Sequence, residues 1–235
     1  MRCGAAAARS PGLMETIADV EGDPRERVLL VLLPPAYGSA RDFADHGFVS
    51  AIRSRGLPVD VIAAGAIADH YLDETVVARL HADVIAPARA KGYRRLWLAG
   101  ISIGGFGSLL AMQSHAADID GLLLLAPYLG SRPAVNEVIR AGGFAQWRPQ
   151  PAAADDHERL LLAWLRGVLA VPAKSTPIYV GYGEQDRFAP AIQVLANALP
   201  AHRVARLAGE HDWPTWIALW HALLDRDPFA ARPLC

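Results

Sequence analysis

Leu96-Trp97-Leu98-Ala99-Gly100-Ile101-Ser102-Ile103-Gly104-Gly105-Phe106-Gly107 reads as a strand, a tight turn and the start of a helix. Leu96 to Ala99 form an unbroken apolar run, as a strand covered on both faces requires. Gly100-Ile101-Ser102-Ile103-Gly104 then matches G-x-S-x-G, a turn so sharp that its serine takes a strained backbone conformation and bulky neighbours would clash. Gly105 and Gly107 extend the small-residue tract and let the following helix, expected to end near His115, approach the sheet. The turn presents the Ser102 hydroxyl above the sheet edge. The helix start behind it offers N–H groups and a positive dipole end to a developing oxyanion, with Ile103 N–H the natural first donor.

The same rhythm extends in both directions. Short Leu-rich or β-branched runs alternate with longer helical patterns, which predicts βα units and a mostly parallel, doubly wound sheet with helices on both faces. Strands are expected at Val28–Leu33, Val59–Ala63, Leu122–Ala126, Ile178–Val180 and about Arg203–Leu207. Helices are expected at about Phe43–Arg55, Asp73–Ala90 and Pro190–Ala198, and from Pro214 to about Leu224. Residues 127–176 break the rhythm with Gly142-Gly143, Trp147, Pro149, Pro151 and an apolar helix near His157–Leu169. An insertion this long after a strand is usually functional. It is expected to be a small helical cap, at about 128–173, over the sheet's C-terminal edge.

Two further tracts follow strands. Gly181-Tyr182-Gly183-Glu184-Gln185-Asp186 follows the fifth, and Gly209-Glu210-His211-Asp212-Trp213 follows the sixth. The order Ser102, Asp186, His211 is that of a triad on such a sheet. His211 is the candidate base because an imidazole titrates near neutrality, takes the serine proton and returns it to the leaving group. Asp186 is the candidate that orients it. Glu184 is its main rival, and Asp212 sits too close to His211 in sequence to reach its ring. Of the other histidines, His46, His81, His115 and His221 fall inside predicted helices and read as surface or core residues. His202 lies at the wrong end of its strand, and His70 lies at the right end to touch a substrate. The second oxyanion donor is expected from the loop Pro34-Pro35-Ala36-Tyr37-Gly38-Ser39. Prolines have no N–H to give, so Ala36 and Tyr37 are the candidates, and the Tyr37 ring is a candidate for the pocket.

Composition excludes other classes. The net charge is −1 and no run of five basic residues occurs, so no bulk field draws the chain to nucleic acid or anionic lipid. No stretch approaches 18 apolar residues, so no membrane span is expected. The first ten residues lack the apolar core of a secretory signal, which leaves the cytoplasm as the expected location. Cys3 and Cys235 are expected as free thiols, with a disulfide between the termini as the alternative. No His, Cys and Asp residues stand at metal-ligand spacing, so neither a metal nor a cofactor is expected. One domain is expected over 1–235, with 1–27 as an N-terminal extension. The sequence carries no signal of oligomeric state.

Gly100-Ile-Ser-Ile-Gly-Gly-Phe-Gly, the loop ending at Asp186 and Gly209-Glu-His-Asp-Trp-Pro-Thr-Trp together resemble the α/β-hydrolase superfamily serine esterases. The last tract is especially similar to the esterase D and feruloyl-esterase-like branch. The resemblance covers Val28 to Leu224. It implies the α/β-hydrolase fold and hydrolysis of a carboxylic ester or related acyl bond through an acyl-enzyme, with no cofactor. Two departures stand out. The usual His-Gly after the first strong strand is Pro34-Pro35 here. The segment before Val28 is short, so the usual antiparallel strands at the start of the sheet are expected to be reduced or missing. Tyr71, Phe106, Tyr128, Trp147 and Trp164 are candidates to line an apolar pocket for a small-molecule acyl ester, with core packing as the competing role. A thioesterase or acyltransferase on the same triad remains open, as does a non-catalytic small-ligand receptor on the same fold.

Overall fold

In the computed structural model, which describes residues 13–66, 70–71, 75–171 and 176–230, the apolar runs become neighbouring strands of one sheet. In chain order these are β1 (Thr16–Asp19), β2 (Val28–Leu33), β3 (Val59–Ala64), β4 (Arg95–Ile101), β5 (Gly121–Leu125), β6 (Ile178–Gly183) and β7 (Val204–Leu207). Their spatial order is β1-β3-β2-β4-β5-β6-β7. β1 runs antiparallel to β3 and every other pair is parallel. All residues of β2, β5 and β6 are buried, as strands covered on both faces must be. The winding reverses between β2 and β4, so the loops leaving their C-terminal ends frame the crevice where such sheets place ligands.

Helices α1 (Asp42–Asp45) and α2 (Phe48–Ser54) follow β2, and α3 (Val76–Leu80) follows β3. α3 continues through a π turn (His81–Ile85) into α4 (Ala86–Ala90). The later helices are α5 (Ile103–Ser114), α6 (Arg132–Arg140), α7 (His157–Leu169), α8 (Ala189–Ala196) and α9 (Trp213–Leu224). α6 and α7 occupy the insertion between β5 and β6, and α7 starts and ends where its sequence pattern places it. Among the described residues, no helix is long and apolar enough to cross a membrane. Cys3, Cys235 and the proposed start of the helix at Asp73 lie outside the described residues.

Two departures from the sequence reading concern the elements before β3. The helix expected over Phe43–Arg55 is split, because Gly47 adopts φ 78° between α1 and α2. Phe43 and Phe48 would stand roughly 140° apart on a continuous helix. With the break, both are buried and their rings meet edge to face at 5.3 Å. The segment before Val28 is not merely an extension. Its residues 16–19 supply the antiparallel edge strand β1, and Met14 is buried. Thr16–Asp19 gave no signal because a four-residue edge strand that is exposed except at half-buried Asp19 needs no apolar run.

The end of the sheet opposite the crevice is held by a buried carboxylate. Asp60 accepts from Arg27 Nε at 2.6 Å, from Tyr93 Oη at 2.6 Å and from the Glu21 amide at 2.9 Å. Burial, then the Asp60 bond, raises the Tyr93 phenol above its ordinary value of 10. Burial also raises Tyr71 and Tyr128. Stability from these groups is complete below pH 10 and is lost as pH rises through their raised values, because the unfolded chain ionises first. Denaturant midpoints are therefore expected to fall above pH 10. Midpoints that stay level as pH rises above 10 would count against the raised values of these three phenols.

Candidate active site

Ser102 ends β4 and opens α5 with φ 54° and ψ −115°. A non-glycine residue there costs on the order of 1–3 kcal/mol and persists only when its surroundings over-determine it. They do so here. The Ser102 amide donates to the Leu125 carbonyl at 2.9 Å, and its own carbonyl accepts from the amides of Gly105, Phe106 and Tyr128. The flanking glycines are needed for space. A Cβ on Gly100 would overlap the Gly104 carbonyl, and one on Gly104 would overlap the Leu33 carbonyl at the end of β2. Gly104→Ala is therefore expected to cost about 4 kcal/mol, a magnitude that a few mechanisms reach, overpacking against backbone among them. Urea unfolding measures it, and a cost below about 1 kcal/mol would show that the elbow yields.

The loops after β6 and β7 are sewn together. The Gln185 amide donates to the Gly209 carbonyl at 2.9 Å, and the Gly209 amide donates to Gln185 Oε1 at 2.7 Å. Gly209 takes φ 145° and leaves no room for a side chain beside Thr215, whose hydroxyl accepts from the Glu210 amide. The Asp212 carboxylate accepts from the Thr215 amide and caps α9, which accounts for that acid. The stitched loops bring His211 against Asp186: Nδ1 lies 2.7 Å from Asp186 Oδ2. The Asp186 side chain is fully buried and that of His211 is 12% exposed. Asp186 Oδ1 accepts from the Phe188 amide at 2.8 Å.

His211 Nε2 lies 2.9 Å from Ser102 Oγ. An ionised carboxylate only accepts, so the proton between Asp186 and His211 sits on Nδ1. The lone pair on Nε2 then faces the serine hydroxyl. The imidazole is clamped edge to face between Phe188, 5.0 Å away, and Trp216, 5.1 Å away. Glu184, the rival acid, points elsewhere and pairs with Arg206 at 2.7 Å on the surface.

The loop after β2 narrows the second donor. The Gly38 amide is spent on the Pro35 carbonyl at 2.9 Å and the Ser39 amide on Asp42 at 2.8 Å. Within Pro34–Ser39 that leaves the amides of Ala36 and Tyr37. Tyr37 adopts φ 64° and its side chain is fully exposed. Its ring therefore projects into solvent and not into a pocket, because the tight turn at Pro35–Gly38 aims it outward.

Two clefts flank the elbow, and neither includes Ser102 or His211 in its lining. One, of about 780 Å3, is lined by Tyr71, Val76, Phe106, Leu110, Gln113 and Glu158 among others. The other, of about 540 Å3, lies between Tyr128, Ser131, Val135, Arg187 and Phe188. Phe106 and Tyr128 meet at 5.5 Å and divide them. Tyr128 Oη donates to Glu158 at 2.8 Å. Against the raising effect of burial, hydrogen bonds from Ser131 and Tyr128 hold the Glu158 carboxyl below its ordinary value. Of the aromatic candidates, Tyr71, Phe106 and Tyr128 line these clefts. Trp147 is buried in the core and Trp164 packs against it, and neither lines either cleft. Phe188 and Trp216 were not singled out in the sequence. Their role is visible only once the chain brings them to both sides of one imidazole.

No protein-family model matches the chain, and no curated protein matches it. Solved structures do. S-formylglutathione hydrolase from Staphylococcus aureus superposes with a TM-score of 0.58 at 13% identity, over 92% of this chain and 98% of that one. The fold is that of the α/β-hydrolases. A ferulic acid esterase matches this chain with a TM-score of 0.55 at 17% identity, over 92% of this chain and 97% of that one. The thioesterase domain from the curacin biosynthetic pathway gives 0.53 at 13% identity, over 93% and 100%.

Proposed function

We propose that this chain is a serine hydrolase that cleaves a carboxylic ester, or a related acyl bond, of a small molecule through an acyl-enzyme. The observation that carries the reading is the continuous hydrogen-bonded line from Asp186 through His211 to Ser102. Ser102 Oγ attacks the acyl carbonyl while His211 Nε2 takes its proton. Asp186 holds the proton on Nδ1 and steadies the imidazolium. The oxyanion is met by the Ile103 amide at the start of α5 and by the amide of Ala36 or Tyr37 across the crevice. His211 then protonates the leaving alcohol. A water molecule, deprotonated by the same ring, attacks the acyl-Ser102 ester and releases the acid. The insertion at 128–173 acts as the cap, and Phe106, Tyr71 and Tyr128 are the residues that would touch the substrate. The esterase and hydrolase titles among the structural neighbours favour ester substrates.

A thioesterase on the same residues is the second reading, favoured by the thioesterase neighbour. Intact-mass spectrometry after a fluorophosphonate tests the shared chemistry. One adduct on the native protein and none on Ser102→Ala is expected. A folded native protein that takes no adduct would leave a ligand-binding role on this fold as the better reading. Turnover of p-nitrophenyl esters against acyl-coenzyme A thioesters then separates the two enzyme classes.

A further inference from the structure

Away from the elbow, at the opposite end of α5, three potential ligands converge: His81, His115 and Asp118. One ligand atom from each lies within 4.8 Å of the others. His81 Nε2 is 3.4 Å from Asp118 Oδ2, and the two imidazoles lie 3.9 Å apart, nearly parallel at 15°. All three are half-buried, so they are partly shielded yet reachable from solvent.

The backbone explains why they meet. His81 opens the π turn between α3 and α4. Pro87, in the first turn of α4, has no N–H for the Asp83 carbonyl four residues back, and its ring would press on it. The widened turn relieves that conflict, and such turns recur at functional sites. His115 caps α5 with φ −132° and ψ 45°, outside helical geometry. Its carbonyl accepts from the Asp118 amide at 3.0 Å, closing the 3-10 turn at Ala116–Asp118. That turn holds His115 and Asp118 on the side facing His81. Arg89 lies beside the cluster, with Nε 4.0 Å from Asp118 Oδ1. Its guanidinium is committed elsewhere, to the carbonyls of Tyr93 and Asp118 and to the Asp120 carboxylate.

We infer that His81, His115 and Asp118 form a binding site for a divalent transition-metal ion of the zinc type, with water completing the coordination. Two imidazoles and one carboxylate are a donor set that zinc takes with a fourth position open. Parallel rings do not aim their lone pairs at one point. Binding therefore requires the two rings to tilt toward each other until each nitrogen stands about 2.0–2.1 Å from the ion.

Isothermal titration of the chelator-treated protein with Zn2+ tests the site. The native protein is expected to bind one ion there, with a rise in melting temperature. His115→Ala and His81→Gln should each weaken that binding by at least about tenfold, the scale seen even for losses outside the ligand set. His81→Gln keeps a polar contact to Asp118, so it reads the loss of the ligand in a folded protein. Exposed His202→Ala should leave the isotherm unchanged. Absence of Zn2+ binding to the native protein would overturn the inference, as would isotherms that coincide for the native protein, His115→Ala and His81→Gln.

Discussion

Ser102→Ala is expected to lower kcat toward a p-nitrophenyl ester by about 10^6-fold, the scale on which a nucleophile's loss disables its whole unit. What remains is catalysis by the oxyanion donors and binding alone. The stability of this variant should change little, because alanine keeps the same unfavourable φ of 54°. Ser102→Gly separates the two effects. It abolishes activity equally and stabilises the fold by about 1 kcal/mol, since glycine adopts positive φ without penalty. Measured kcat and urea midpoints for both variants decide the matter. A Ser102→Ala variant retaining more than a few per cent of native turnover would place the nucleophile elsewhere.

Asp186→Asn should lower kcat by about 10^4-fold with the fold intact. Asp186 receives two N–H groups, the Phe188 amide on Oδ1 and His211 Nδ1 on Oδ2. Asparagine has one acceptor oxygen for those two donors. With its oxygen on the Phe188 amide, its NH2 faces Nδ1 and forces the proton onto Nε2. The ring then presents a donor where it must accept from Ser102. Glu184→Gln is the control. It loses only an exposed pair with Arg206, and exposed pairs contribute about 0–1 kcal/mol, so kcat should stay within about twofold. The reverse pattern, with Glu184→Gln the damaging change, would transfer the orienting role to Glu184.

The strands that carry the sheet were legible in the sequence because their signal is local. Val28–Leu33 and Ile178–Val180 are apolar without interruption, and only a strand covered on both faces has use for that pattern. The elbow was legible for the same reason. Gly100, Ser102 and Gly104 act within one turn, so spacing alone reports the steric need. β1 was not legible, since four residues at an edge carry no period. The break at Gly47 was hidden as well, because the reason for it is the packing of Phe43 on Phe48 and not the propensity of the chain between them.

By itself, then, the sequence determined the α/β class, the order of the six parallel strands, and the placing of Ser102, Asp186 and His211 in loops at strand ends. Which of Asp186 and Glu184 faces His211 needed tertiary structure. The two carboxylates are two residues apart, and only the stitching of the Gln185 and Gly209 loops turns one inward to His211 and leaves the other on Arg206. The outward Tyr37 ring and the Phe188–His211–Trp216 clamp are likewise products of packing. The meeting of His81 with His115 and Asp118 is the extreme case. No spacing motif joins residues on separate helices, and their proximity exists only because the π turn and the end of α5 are folded against each other.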